Sequence, residues 1–518
     1  MRRPPRRLSA LALALACGVS ALPPPSFAQS ALPALGDTAG EDLSIGTERR
    51  VGEQIMREIR RDPDYLDDPV LLEYVQSVFQ PLVGAARRRG EMGGDMDARF
   101  AWEVFLVRDR SVNAFALPGG YIGVHLGLLG MTATRDELAS VLAHELSHVT
   151  QRHIARSIDN SKRASLLGAA ATILAILAAS RSNGGDMANA AIAGGQAAAI
   201  QGQLNFSRDM EREADRIGYG VLTGAGFAGS GMASMFERLS QSSRLNDAGG
   251  FPYLRSHPLT TERIGEARAR LGAATPAAPG GALEHTAAQA RARVLMDTRV
   301  DALRRWQSRD ADDAGALPDK LSALLESALA STVLRDWPRA DAALRRAQAL
   351  LQGAGSDAGR DRAERALALL QVQSLLDRGD AARAEAALKP FAAEPSRPVV
   401  LLASRVALAR DDAPGWKRAA EELQTWVAAR PADAEAWSLL GRLWEKQGQR
   451  LRAVRADAEA RLALGDMAGA VERLRAGQRL ARGGGAVDFI EASVIDARLR
   501  DIEAQRRELA KQERQAGG

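Results

Sequence analysis

Five residues, His144-Glu145-Leu146-Ser147-His148, constrain the folding of this chain more than any other stretch. At 3.6 residues per turn, side chains four apart return to within about 40° of one direction, so both imidazoles leave one face of a helix. The run from Asp136 to Ser157 reads as that helix. Such a pair can hold one metal ion, and the Glu145 carboxylate between them can take a proton from an attacking water. The ion needs a third protein ligand, and with Cys17 the only cysteine that ligand must be His, Asp or Glu. A second helical string, Ser207 to Asp215, repeats the spacing with Glu211 and Asp215. Glu211 is the expected third ligand. Asp215, one turn on, is placed to bond the outer nitrogen of a ligating imidazole and fix its tautomer.

The string HELSHVTQRH from His144 to His153, followed by Glu211-Arg212-Glu213-Ala214-Asp215, resembles the gluzincin metallopeptidases of the CAAX prenyl protease and the bacterial membrane heat-shock protease. Asn113 to Gly120 with Tyr121-Ile122 resembles the strand and turn that precede the metal helix in that family, and Ser256-His257-Pro258 with Arg263-Ile264 resembles its downstream element. With the Leu32 to Ile45 stretch and a helical tail, the chain is similar to the periplasmic branch that serves outer-membrane β-barrel assembly. The resemblance implies one Zn²⁺ per chain on His144, His148 and Glu211, with Glu145 and Asp215 as catalytic residues. It implies a mainly α fold: an α+β zincin-like domain with a small sheet, then an all-α tetratricopeptide solenoid. It also implies unfolded or misassembled outer-membrane proteins as substrates and the β-barrel assembly machinery as the partner of the repeats.

His257 admits two roles. It could stabilise the oxyanion of the tetrahedral intermediate, or fill the fourth position on zinc and shut the enzyme off until displaced. The resemblance favours the second. His153 follows His148 by five residues and points off the ligand face, which suits a supporting role rather than ligation. His125 and His285 have no partner pattern and are assigned none.

Four arginines at positions 2, 3, 6 and 7, the apolar run Leu8 to Ala16, and Ser26-Phe27-Ala28 have the form of a secretory signal peptide cleaved after Ala28. Its removal takes Lys+Arg from 69 to 65 against 64 Asp+Glu, a net charge of +1, so the basic whole-chain pI does not argue for nucleic acid. Cys17 leaves with it, and lipid attachment there is disfavoured because Ala14 stands where a leucine is usual. The expected location is the periplasm.

Ser44 to Arg61 and Pro69 to Arg89 read as amphipathic helices, the first capped by Ser44 or Thr47. Phe100 to Val107 is β-rich, and Phe115 to Leu117 with Tyr121 to Val124 flank a Pro118-Gly119-Gly120 turn, predicting a small sheet whose edge could take an extended substrate. Leu166 to Ala179 is too short to span about 30 Å of hydrocarbon and reads as a buried helix or one in peripheral contact with a membrane. Ala188 to Ala199, small and glycine-rich, suits a mobile cover over the site. Turn signals at Arg335-Asp336, Gly379-Asp380, Asp411-Asp412, Gly448 and Gly465-Asp466 separate apolar segments at intervals near the tetratricopeptide period. The expected organisation is a signal peptide at 1–28, the metallopeptidase domain at 29–273, a linker at 274–283, repeats at 284–483 and a charged helix and tail at 484–518. The competing expectation is a periplasmic chaperone or assembly scaffold with a closed, non-catalytic zinc site.

Overall fold

The computed structural model describes residues 44–159, 207–245, 251–271, 282–312, 314–355, 358–394, 396–483 and 488–516. The expected signal peptide, Cys17, Leu166 to Ala179, Ala188 to Ala199 and residues 274–281 lie outside them. Among the described residues, no helix is long and apolar enough to cross a membrane.

Helix α1 (Ile45–Ile59) starts at Ser44, whose hydroxyl accepts the Thr47 N–H, and Asp68 caps α2 (Pro69–Arg88) in the same way. Pro69 opens α2, where no intrahelical N–H is needed. Strand β1 (Tyr65–Leu66) lies between them, and α3 (Gly94–Arg99) leads into β2 (Glu103–Val107), β3 (Ala114–Leu117) and β4 (Tyr121–His125). The sheet order is β1-β2-β4-β3, with β2 and β4 parallel and the outer pairs antiparallel, so β3 is an edge strand. Gly119 and Gly120 turn the β3–β4 hairpin at φ of 80° and 88°, a conformation that side chains resist. Val51, Ile55, Met56 and Ile59 of α1 cover Phe105, Val107 and Leu117 of the sheet.

Next come α4 (Leu126–Met131), α5 (Arg135–Thr150), α6 (His153–Asp159), α7 (Arg208–Gly224), α8 (Ser230–Leu245), α9 (Pro252–Ser256) and α10 (Thr261–Leu271). Helix α5 is buried from Glu137 to Thr150, packed among α2, α7, α8 and β3. Polar groups on a helix covered on all sides are costly, so its histidines and glutamate call for a reason beyond packing. Its start is fixed reciprocally: Thr134 accepts the Glu137 N–H, and Glu137 accepts the Ala133 N–H at 2.6 Å. The helix expected from Asp136 to Ser157 is broken. Helix α5 stops at Thr150, Arg152 takes a left-handed φ of 53°, and α6 restarts at His153.

The remaining chain is helical: α11 (Ala282–Leu295), α12 (Val300–Gln307), α13 (Leu317–Val333), α14 (Trp337–Gln352), α15 (Ala358–Asp377), α16 (Ala381–Leu388), α17 (Arg397–Arg410), α18 (Ala413–Ala429), α19 (Ala434–Lys446), α20 (Arg450–Ala463), α21 (Met467–Arg482) and α22 (Phe489–Ala516). From α13 onward consecutive helices pack on one another, as in a repeat solenoid. Arg335, Gly379, Asp411, Gly448 and Gly465 all have positive φ. At four of these turns the next residue donates its N–H to the carbonyl five positions back, Asp336 to Ser331, Asp380 to Leu375, Gln449 to Trp444 and Asp466 to Arg461, closing the preceding helix. Asp336, Asp380 and Asp466 then cap the following helix with their side chains.

Helix α11 begins at Ala282, at the end of the expected linker, and packs on α2, α4, α13 and α15. Its His285 bonds the Tyr74 hydroxyl at 2.6 Å and the Thr132 carbonyl at 2.9 Å, and its Arg291 pairs with Asp68 at 2.7 Å. Arg365 on α15 reaches Glu73 at 2.5 Å, and Arg397 on α17 reaches Asp67 at 2.5 Å.

Candidate active site

His144 and His148 leave α5 side by side, and Glu211 in the first turn of α7 faces them. The two helices come close because Gly218 on α7 has no side chain; a Cβ there would stand 3.2 Å from the Ala143 carbonyl oxygen. His257 follows α9 and precedes Pro258. Nitrogens of the three histidines and an oxygen of Glu211 all lie within 4.8 Å of one another, and all four residues are buried. His144 Nε2 is 3.0 Å from His148 Nε2 and 3.5 Å from Glu211 Oε2, and His148 Nε2 is 3.5 Å from Glu211 Oε1. His257 Nδ1 is 3.3 Å from His144 Nε2 and 2.9 Å from Glu211 Oε1. Metal–ligand bonds of about 2.0–2.1 Å around a tetrahedron put neighbouring ligand atoms about 3.3 Å apart. These separations fit that geometry, and nitrogen with carboxylate oxygen suits a divalent transition ion.

Glu145 lies beside the four donors. Both of its oxygens are buried without a hydrogen-bond partner, and Oε1 is 3.5 Å from His257 Nε2. Burial raises its pKa, only partly offset by positive charge on His257 and His144. The Ala116 backbone also steadies the carboxylate, and the net upward shift suits Glu145 to accept a proton from what enters.

Each α5 histidine is held from behind. His144 Nδ1 is 2.9 Å from Asp215 Oδ1, and the Arg263 guanidinium grips Asp215 at 2.7 and 2.8 Å. The same Arg263 reaches Glu211 Oε2 at 2.8 Å and the Pro258 carbonyl at 2.8 Å. Behind His148 stands His153, Nδ1 to Nδ1 at 2.9 Å, and His153 Nε2 is 3.1 Å from Glu213. Tyr253, buried and kept a neutral phenol, stacks on His257 with ring centroids 4.7 Å apart.

The structure therefore gathers His144, Glu145, His148, Glu211, Asp215 and His257. It places His285 in the α2–α11 interface and His125 against Ser111 at 2.9 Å. Arg263 is the residue whose contacts the sequence reading missed. Its spacing six residues past His257 carries no rule of its own, and only the fold brings it to Asp215.

Residues 72–271, from α2 through α10, match peptidase family M48. The chain carries a peptidase family M48 domain. A relative from Vibrio cholerae serotype O1 is 36% identical over 294 residues, 56% of each chain. The Beta-barrel assembly-enhancing protease of Escherichia coli K12 is 35% identical over 254 residues, 49% of this chain and 50% of its own. The Mitochondrial metalloendopeptidase OMA1 of Saccharomyces cerevisiae is 30% identical over 195 residues, 37% of this chain and 53% of its own. The chain spans about half the length of the curated relatives it matches.

Loading the M48 site with metal should release protons. In the metal-free protein burial would lower the pKa of His144, but Asp215 and Glu211 more than reverse this and lift it to about 10. Burial, then the charge on His144, depresses His148, which is already neutral. Ligation needs neutral imidazole, so binding at pH 8 should expel about one proton, and the release should vanish above pH 10. Calorimetry in buffers of different ionisation heat measures this; no release at pH 8 would refute the charged state of His144.

Proposed function

We propose that the chain is a zinc-dependent endopeptidase of the periplasm that cuts misfolded or stalled outer-membrane proteins. The observation that carries the reading is the near-tetrahedral set of four donors with the unpartnered Glu145 carboxylate beside it. His144, His148 and Glu211 would hold zinc, which when bound would supply Lewis acidity toward a peptide carbonyl and toward water. Glu145 takes the proton of the attacking water and passes it to the leaving amine. Asp215 keeps the proton of His144 on Nδ1, so that Nε2 faces the metal. The edge strand β3 next to α5 can pair with an extended substrate backbone. The signal-like leader supports the location, and the name of the Escherichia coli relative supports the substrate class. On this reading residues 29–273 form the metallopeptidase domain, residues 284–483 are tetratricopeptide-like repeats that dock substrate or the β-barrel assembly machinery, and the charged helix and tail at 484–518 close the stack.

On this reading His257 would hold the site shut: its Nδ1 lies 2.9 Å from Glu211 and its Nε2 3.5 Å from Glu145, so the ring would be a fourth ligand to a bound ion and stand against the base. Removing it should therefore raise activity: we expect His257→Ala to degrade an unfolded protein such as reduced casein about tenfold faster than the parent, the gain if some tenth of the parent is open at a time. Loss of activity would assign His257 to transition-state stabilisation. The scaffold reading is favoured by the same filled corner. It predicts that neither protein cleaves while both retain zinc.

A further inference from the structure

We propose that His153 is a positioning residue for the metal site, the middle member of a chain running His148–His153–Glu213. The inference rests on the metallopeptidase reading and goes one layer outward from it.

The contact exists only because the helix breaks. On a continuous helix His153 would point about 140° away from His148, since five residues turn through about 500°. Arg152 at φ 53° ends that path, and α6 restarts with His153 turned back beneath the His148 ring at a centroid distance of 4.9 Å. A left-handed conformation is unfavourable for a residue with a side chain. Arg152 is held there by Glu48 of α1 at 2.8 Å, an acid only 4% exposed. His153 is fully buried, so its ring is no accident of the surface.

The proton positions follow from the two ends of the chain. His148 turns Nε2 to the other donors, which leaves its proton on Nδ1. Facing it at 2.9 Å, His153 Nδ1 must accept, so the His153 proton sits on Nε2 and is donated to Glu213 at 3.1 Å. Glu213 is also paired with Arg156 at 3.1 Å. This arrangement fits each of these contacts, and it presents His148 to the metal in the ligating tautomer. His144 is served by Asp215 and Arg263, His148 by His153 and Glu213.

The test is metal affinity, read by competition with a chromogenic chelator in the full chain. His153→Leu keeps the bulk and removes the acceptor; we expect zinc affinity to fall about 10–100-fold, the usual loss when such an outer partner is removed. His153→Asn puts an amide oxygen near the place of Nδ1 and should return affinity to within a few-fold of the parent. Denaturation of the metal-free proteins should not order the variants in the same way, because leucine suits a buried position better than asparagine. A His153→Leu protein that binds zinc like the parent overturns the proposal, and if that variant does not fold, weak binding by His153→Asn overturns it instead. A parent that binds no zinc would defeat the metallopeptidase reading itself.

Discussion

Glu145→Gln should lower peptide hydrolysis by about 10²–10⁴-fold, the usual contribution of a general base, while zinc stays bound. Glutamine keeps the size and one acceptor oxygen but cannot take the proton. Stability should not fall with activity. Because burial raises the pKa of Glu145, its ionised form costs the fold free energy as pH rises past the ordinary carboxylate range, and a neutral amide relieves that cost at pH 7. The comparison is best made in the His257→Ala background, where the fourth corner is open, with metal content and chemical denaturation measured alongside. Cleavage equal to that background would remove Glu145 from the mechanism. A loss of bound metal would make the residue structural.

Arg263→Met should destabilise the protein by about 3–5 kcal/mol, the cost of leaving a buried charge without its partner. Arg263 is 4% exposed and serves two buried carboxylates, Asp215 and Glu211. Methionine fills much of the volume, so the effect isolates charge. It should also depend on the ion: a divalent cation neutralises Glu211 and recovers part of the loss, so the destabilisation should be larger in chelator than in zinc. Denaturant titrations with and without chelator measure both. Equal losses in the two conditions would mean that Arg263 supports only Asp215.

Helix α5 and the β3–β4 hairpin were readable because local rules sufficed. The i, i+4 spacing and the paired glycines after Pro118 each name a conformation within a few residues. The helix turns were readable for the same reason: Gly379, Asp411, Gly448 and Gly465 tolerate a left-handed conformation, and at Arg335 the following Asp336 supplied the signal. The break at Arg152 was not. Arginine has no preference for positive φ, and the conformation is held by Glu48, which is 104 positions away in sequence. Strand β1 escaped notice because two residues carry no periodicity. The role of α11 escaped because His285, Gln289 and Arg291 read as polar surface until Tyr74, Thr132 and Asp68 are brought to them by the fold.

Those distant pairings also limit how the protein can be inherited. Asp68, Glu73 and Asp67 find their arginines 223, 292 and 330 positions downstream. Exchange of repeats between two such chains, by recombination or by design, would deliver a catalytic half whose acids no longer meet their guanidinium groups. The repeats are therefore not a detachable accessory. They are half of the wall against which the catalytic half is built, and the two must change in step or not at all.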